Sequence, residues 1–219
     1  ELPQVKITQQ QDTGIKINLK SLIILAPPEL QNIIDKEKYN KMLMGVPQSI
    51  NDLYKIAYEI ERDFNQKGYP LVRVILPVQE LEPEQASVFF KVIDGFIEKI
   101  DLSQVPKAQT LRTYAYLKPI INKKSLTLKS LERQLLLASN SAGLTLTSSL
   151  VPGVKEGSSR LVIEAKHKLL SGGISFDNSQ SEQLGRQQGQ ASTNISSAFG
   201  LGETISLFGL ARPTIKGMS

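Results

Sequence analysis

Side chains able to do covalent chemistry are scarce in this 219-residue chain, which holds one His and no Cys. Thiol catalysis, thiolate metal sites and a disulfide scaffold are therefore excluded. Common zinc sites and His-based triads lack their parts. His167 stands between Lys166 and Lys168 at a strand end and reads as a surface or junction residue. Glu80, Glu82 and Glu84 read as a solvated acidic loop tip, because a carboxylate acid/base pair would need a pocket around it. Gly172-Gly173 lacks the spacing and the strand-to-helix setting of a phosphate loop. Asp177-Asn178-Ser179 reads as a side-chain-capped turn, with a loose Ca²⁺ loop as the alternative. The expectation is a protein that is not an enzyme and needs no cofactor or metal. What is left is main-chain chemistry, and that depends on strands.

The strands centre on Gly68–Leu102, GYPLVRVILPVQELEPEQASVFFKVIDGFIEKIDL. Leu71–Leu76 and Val88–Ile93 have the length and residue types of strands. The polar loop between them suits a hairpin with a floppy tip. Gly95 reads as a flexible joint, after which Phe96–Leu102 begins a third strand with almost no linker. Upstream, Glu1–Thr13 reads as linker, Ile15–Leu25 as a strand, and Pro28 as the first turn of a helix carrying Leu30, Ile33 and Ile34. Ser49 and Asp52 resemble a capping box. The stripe Leu53, Ile56, Ala57, Ile60 and Phe64 then marks the clearest helix, ended by Gly68. The order is β-α-α-β-β.

That order recurs. At an offset of 75, Gly68 falls on Gly143 and Pro77 on Pro152, while Leu53, Ile56 and Ile60 fall on Leu128, Leu131 and Leu135. The second copy is Phe96–Leu102, helices at about Lys107–Leu117 and Leu128–Ala142, and strands at Leu144–Val151 and Arg160–Lys168. Tyr114 and Tyr116 read as packing residues. The fold class is α+β, two small modules in tandem.

After Lys168 aliphatic density falls and Gly, Ser, Gln and Asn rise. Gly189, Ala191, Thr193, Ile195, Ser197 and Phe199 alternate with Gln188, Gln190, Ser192, Asn194, Ser196 and Ala198. Ile174 and Phe176 share a face, as do Ile205 and Leu207. Alternating segments parted by turn residues are the pattern of a membrane β-barrel with a polar lumen, and a soluble sheet gives a similar one. No apolar run approaches the roughly 18 residues of a membrane helix. The net charge of +5 is scattered, with no basic arm for nucleic acid. No signal peptide opens the chain, which suits a mature fragment or a cytosolic chain.

GYPLVRVILPVQEL followed by VFFKVIDGFIEKIDL, together with SFDNSQSEQLGRQQGQASTNIS, resembles the outer-membrane transporters of two-partner secretion, the TpsB family, relatives of the BamA-like assembly proteins. The resemblance covers nearly all of Ile15–Pro213. It implies residues 1–13 as linker, residues 14–95 and 96–168 as two POTRA domains, and residues 169–219 as about the first three antiparallel strands of a transmembrane β-barrel. The family's plug helix, signature barrel loop and final strand have no counterpart in this stretch. The implied place is the outer membrane of a Gram-negative bacterium, with the POTRA domains in the periplasm. The implied partners are a secreted adhesin- or haemolysin-like exoprotein and, for the full-length protein, outer-membrane lipid. The alternative role is a scaffold for assembly and insertion of outer-membrane proteins.

Such modules leave strand edges exposed, and an extended client can add itself to an edge through main-chain hydrogen bonds. By analogy with POTRA domains the chosen edge is Leu71, Val72, Arg73, Val74 and Ile75, bordered by a helix carrying Tyr54, Tyr58 and Arg62. Leu144–Leu150 is the matching edge of the second module. Three barrel strands cannot close, so residues Ile174–Ala211 are expected either to pair between chains or to fold back on the modules. The modules themselves are expected to stay folded without the residues after Lys168.

Overall fold

The computed structural model describes residues 16–43, 45–82, 85–178 and 188–211. The expected linker 1–13 lies outside the described residues, as do Ile15, Glu84, Ser179, Gly185 and Pro213. The first elements are β1 (Lys16–Ile17), β2 (Leu19–Leu25), α1 (Lys36–Leu43), β3 (Gln48–Ser49), α2 (Ile50–Gln66), β4 (Arg73–Ile75) and β5 (Ala86–Ile93). The helix expected from Pro28 starts later. Pro28–Leu30 closes a single 3-10 turn, with the Leu30 N–H donating to the Pro27 carbonyl at 2.9 Å. Asp35 then accepts from the backbone N–H groups of Glu37 (3.0 Å) and Lys38 (3.2 Å), which sets the start of α1.

The capping box of α2 is complete. Ser49 Oγ accepts from the Asp52 N–H at 3.2 Å, and Asp52 Oδ2 accepts from the Ser49 N–H at 3.1 Å. Hydrogen bonds from the Lys55 ammonium, then from the Ser49 hydroxyl and N–H, hold the Asp52 carboxyl down to about 2 from its ordinary 3.8. A depressed carboxyl stabilises the fold above its unfolded value and loses that contribution as pH falls through the folded one. Ser49→Ala is therefore expected to cost about 1 kcal/mol at neutral pH. Urea titrations should show the gap from wild type narrowing between pH 3.8 and 2.

In the first sheet β5 lies between β2, which runs parallel to it, and β4, which runs antiparallel. Val88, Phe90 and Val92 alternate inward from β5 and are buried with Leu53, Ile56, Ile60 and Phe64 of α2. The loop between β4 and β5 is tied down by Gln79. Its amide donates to the Phe89 carbonyl (3.1 Å) and accepts from the Phe89 N–H (2.8 Å).

The next elements are β6 (Phe96–Gln104), α3 (Lys107–Leu117), α4 (Leu128–Ser139), β7 (Leu144–Pro152) and β8 (Ser158–His167). Their sheet has the order β6-β8-β7, first-third-second, as β2-β5-β4 has. The α+β class and the repeated β-α-α-β-β order are both present. Leu131 is buried like its counterpart Ile56, and Leu135 is half-buried. Leu128 departs from the repeat and is exposed, because α4 begins at that residue, where Thr127 caps the helix by accepting from the Ser130 N–H at 3.2 Å. Tyr114, expected to pack, is also exposed.

By compactness the chain divides into residues 1–101 with 117–135 and 148–162, and residues 102–116 with 136–147 and 163–219. Within the first unit, Gly95 is not the flexible joint that its residue type suggested. A Cβ on Gly95 would lie 1.9 Å from the Leu71 carbonyl oxygen, so Gly is needed for close approach. Both oxygens of the buried Asp94 carboxylate accept from the Ser125 N–H (3.0 and 2.9 Å), and Oδ2 also accepts from the Ser125 hydroxyl (3.2 Å). Lys124 donates to the Asp94 carbonyl at 3.2 Å, and the Leu128 N–H donates to the Gly68 carbonyl at 2.8 Å. This joint is clamped.

The last strands are β9 (Leu170–Asp177), β10 (Gln188–Ser196) and β11 (Thr204–Ala211), antiparallel with β10 central. Their register places Ala191 opposite Ile174 and Gly209, and Ile195 opposite Leu170 and Ile205. Leu170, Ile174, Phe176, Ile195, Ile205 and Leu207 thus share one face, and Ser175, Gln190, Ser192, Asn194 and Ser206 the other. Phe208 and Leu210 join the polar face, by the parity of β11. Phe199, expected on the apolar face, lies instead in the turn after β10. Within the second unit that turn meets α3. The fully buried Gln109 amide donates to Ser197 Oγ (2.9 Å) and to the Ser197 carbonyl (3.3 Å). The His167 ring donates through Nε2 to the Ser196 carbonyl at 2.9 Å, a junction role.

Candidate functional site

The sheet order makes β4 an edge strand, paired on one side with β5 through Arg73↔Ile93, Val74↔Val92 and Ile75↔Lys91. The strand is short, and Leu71 and Val72 precede it as buried residues, so their side chains belong to the core. Val74 also points inward, whereas Ile75 is exposed. On α2, Tyr54 and Tyr58 are exposed, Tyr58 at 60%, and Arg62 is exposed as well. Their spacing of four puts all three on one stripe of the helix. The chosen residues therefore separate into a core set (Leu71, Val72, Val74) and an accessible set (Ile75, Tyr54, Tyr58, Arg62), with Arg73 between them.

The residue that joins strand to helix is Glu61, which the spacing of the apolar stripe did not single out. Its Oε1 accepts from Arg73 Nη1 at 2.9 Å, and its Oε2 accepts from the Val74 N–H at 3.1 Å. Arg73, the lone cation of this strand, reads from sequence as pointing to solvent, and the structure pairs it with Glu61 instead. Antiparallel pairing alternates the direction of successive N–H groups, so the Val74 N–H bound by Glu61 faces away from β5. Nearby, Lys38 and the Tyr39 hydroxyl both donate to Asp63 Oδ2, at 2.7 and 2.6 Å. Burial, then the bond to Asp63, pushes the Tyr39 hydroxyl pKa upward. Burial works to raise the Asp63 carboxyl, and the bonds from Lys38 and Tyr39 outweigh it and hold the group low.

The matching edge of the second module is β7, nine residues long, with Thr145, Thr147, Ser148 and Ser149 exposed. Glu80 and Glu82 are exposed, and Gly172 and Gly173 lie inside β9. Among the described residues no group of three or more His, Asp or Glu side chains could hold a metal ion, and no helix is long and apolar enough to cross a membrane, which leaves strands untouched.

The family of haemolysin secretion/activation proteins ShlB/FhaC/HecB matches residues 157–212, which run from β8 to the end of β11. The heme/hemopexin transporter protein HuxB of Haemophilus influenzae is 27% identical over 203 residues, 91% of this chain and 36% of the relative. The hemolysin transporter protein ShlB of Serratia marcescens is 28% identical over 198 residues, 87% of this chain and 32% of the relative. The chain thus spans about a third of the length of these curated relatives. Both are named as transporters. Among solved structures, CdiB from Escherichia coli superposes with a TM-score of 0.64 at 15% identity, covering 95% of this chain and 38% of that one. CdiB from Acinetobacter baumannii gives 0.58 at 18% identity, covering 96% and 42%. With two β-α-α-β-β modules leading into a three-stranded antiparallel sheet, the chain is similar over about nine-tenths of its length to these transporter proteins, and its fold is that of the matching part of CdiB.

Proposed function

We propose that this chain is the periplasmic client-recognition region of an outer-membrane transporter that secretes a large partner protein. The POTRA-like modules, at residues 14–95 and 96–168, capture the unfolded client by strand addition. The strands from residue 169 onward begin the barrel, with their apolar face toward lipid. The observation that carries this reading is that β4 is an edge strand joined through Glu61 to α2, a helix that also presents the exposed Tyr54, Tyr58 and Arg62. The relatives' names, a hemolysin transporter and a heme/hemopexin transporter, support a secreted protein as the cargo. Among the described residues β9 and β11 are the outer strands of their sheet, and outer strands are the route by which this stretch would self-associate outside a complete barrel.

The test is site-specific photo-crosslinking from Tyr58 and Ile75 in the full-length protein during secretion. The expected result is adducts with the extended N-terminal domain of a large β-helical exoprotein. Adducts with barrel precursors instead would favour the assembly-scaffold role, and adducts with neither would overturn client capture at this edge.

A further inference from the structure

We infer that Glu61 is a built-in competitor for the β4 edge: its carboxylate, anchored by Arg73, occupies the Val74 N–H that an incoming client strand must use. This deepens the reading of β4 as the client edge and rests on it.

The geometry is specific. The Glu61 side chain is 19% exposed and the Arg73 side chain 38%, so the pair is sheltered on the flank of the module. One carboxylate oxygen holds Arg73 and the other holds the Val74 N–H. Strand addition to a three-residue edge offers few main-chain bonds, and the centre of this edge is Val74. A strand that docks there must replace a charged acceptor with a neutral carbonyl, and a hydrogen bond to a charged group is the stronger of the two. Displaced Glu61 keeps Arg73 as a partner, so the carboxylate is not stranded and the exchange is reversible. The consequence is selectivity. When the competent state is only part of the population, apparent affinity falls by that fraction. A segment is admitted only where its contacts beyond Val74 offset the loss of the Glu61 bond. The same latch shields the edge from pairing with other copies of the chain.

The latch also reverses the role that exposure alone suggests for Arg73. A residue that grips the client directly would weaken binding when removed. A residue that anchors Glu61 over the edge would strengthen it.

The experiment uses this chain and a fluorescein-labelled twelve-residue peptide of alternating Thr and Val with a Lys at each end. Three variants are compared with wild type: Glu61→Ala, Glu61→Gln as the conservative form that keeps the side chain's shape, and Arg73→Gln. Circular dichroism establishes that each is folded, and amide exchange at Val74 reports the latch without any ligand. The expected result is Val74 exchange about tenfold faster and peptide affinity about tenfold tighter in Glu61→Ala, and about threefold changes in the other two. Unchanged Val74 exchange in both Glu61 variants would overturn the latch. Faster exchange with unchanged or weaker peptide binding would overturn its gating role while the docking edge stands, as would weaker binding in Arg73→Gln alone. Failure of wild type and all variants to bind the peptide, despite faster exchange, would remove the docking reading itself and the gating role with it.

Discussion

Gly95→Ala is expected to destabilise the first unit by about 3 kcal/mol or more, read as a fall in the urea midpoint. The new Cβ would sit 1.9 Å from the Leu71 carbonyl oxygen and 2.8 Å from its carbonyl carbon. Neither atom is the end of a flexible side chain, so backbone must move. Leu71 is buried and leads directly into β4. On the other side Asp94 is held by Ser125, and the Phe96 N–H donates to the Gly157 carbonyl at 3.1 Å. The strain therefore has nowhere to go except into β4 or the clamped joint. Amide exchange at Val74 and Phe96 should report which one yields. Gly173→Ala is the matched control, because nothing lies within 4 Å of the Cβ it would add. It should change stability by less than about 0.5 kcal/mol.

Phe90→Ala is expected to cost about 3–5 kcal/mol, the range for truncating a fully buried aromatic side chain. Phe90 lies on β5, the central strand of its sheet, and is completely inaccessible. It faces the layer formed by α2, whose Leu53, Ile60 and Phe64 are equally inaccessible. No neighbour can swing in to fill the space without vacating its own, so the cavity persists. Phe89, one residue earlier, is 37% exposed on the opposite face, and Phe89→Ala should cost less than half as much. Urea titration of the two variants side by side separates burial from residue type.

These two positions differ in how far they could be read in advance. Phe90 stood in a run with the length and residue types of a strand, and the structure decided that it, and not Phe89, faces the core. The stripe of α2, its capping box and the left-handed Gly68 are local signals. So are the three final strands, where a two-residue period sorts Ile174, Ala191 and Ile205 from Ser175, Gln190 and Ser206. Where local rules compete, the stronger one decides. Pro28 is a good first helical residue, yet Asp35 offers two hydrogen bonds further on and takes the helix start. Phe199 continued the alternation in sequence, but Ser197 turns the chain with φ +51 and removes it from the strand.

By itself the sequence determined the type of the long segments and the buried stripe of α2, because hydrophobic period and caps act over a few residues. Tertiary structure alone decided which strand is central and which is an edge, since hydrogen-bonded order depends on how the chain crosses over. It also decided that Gly95 sits in a clamped joint and that Glu61 reaches β4, twelve residues from Arg73 along the chain. Those are contacts between backbone and side chains brought together only by packing, and no periodicity encodes them.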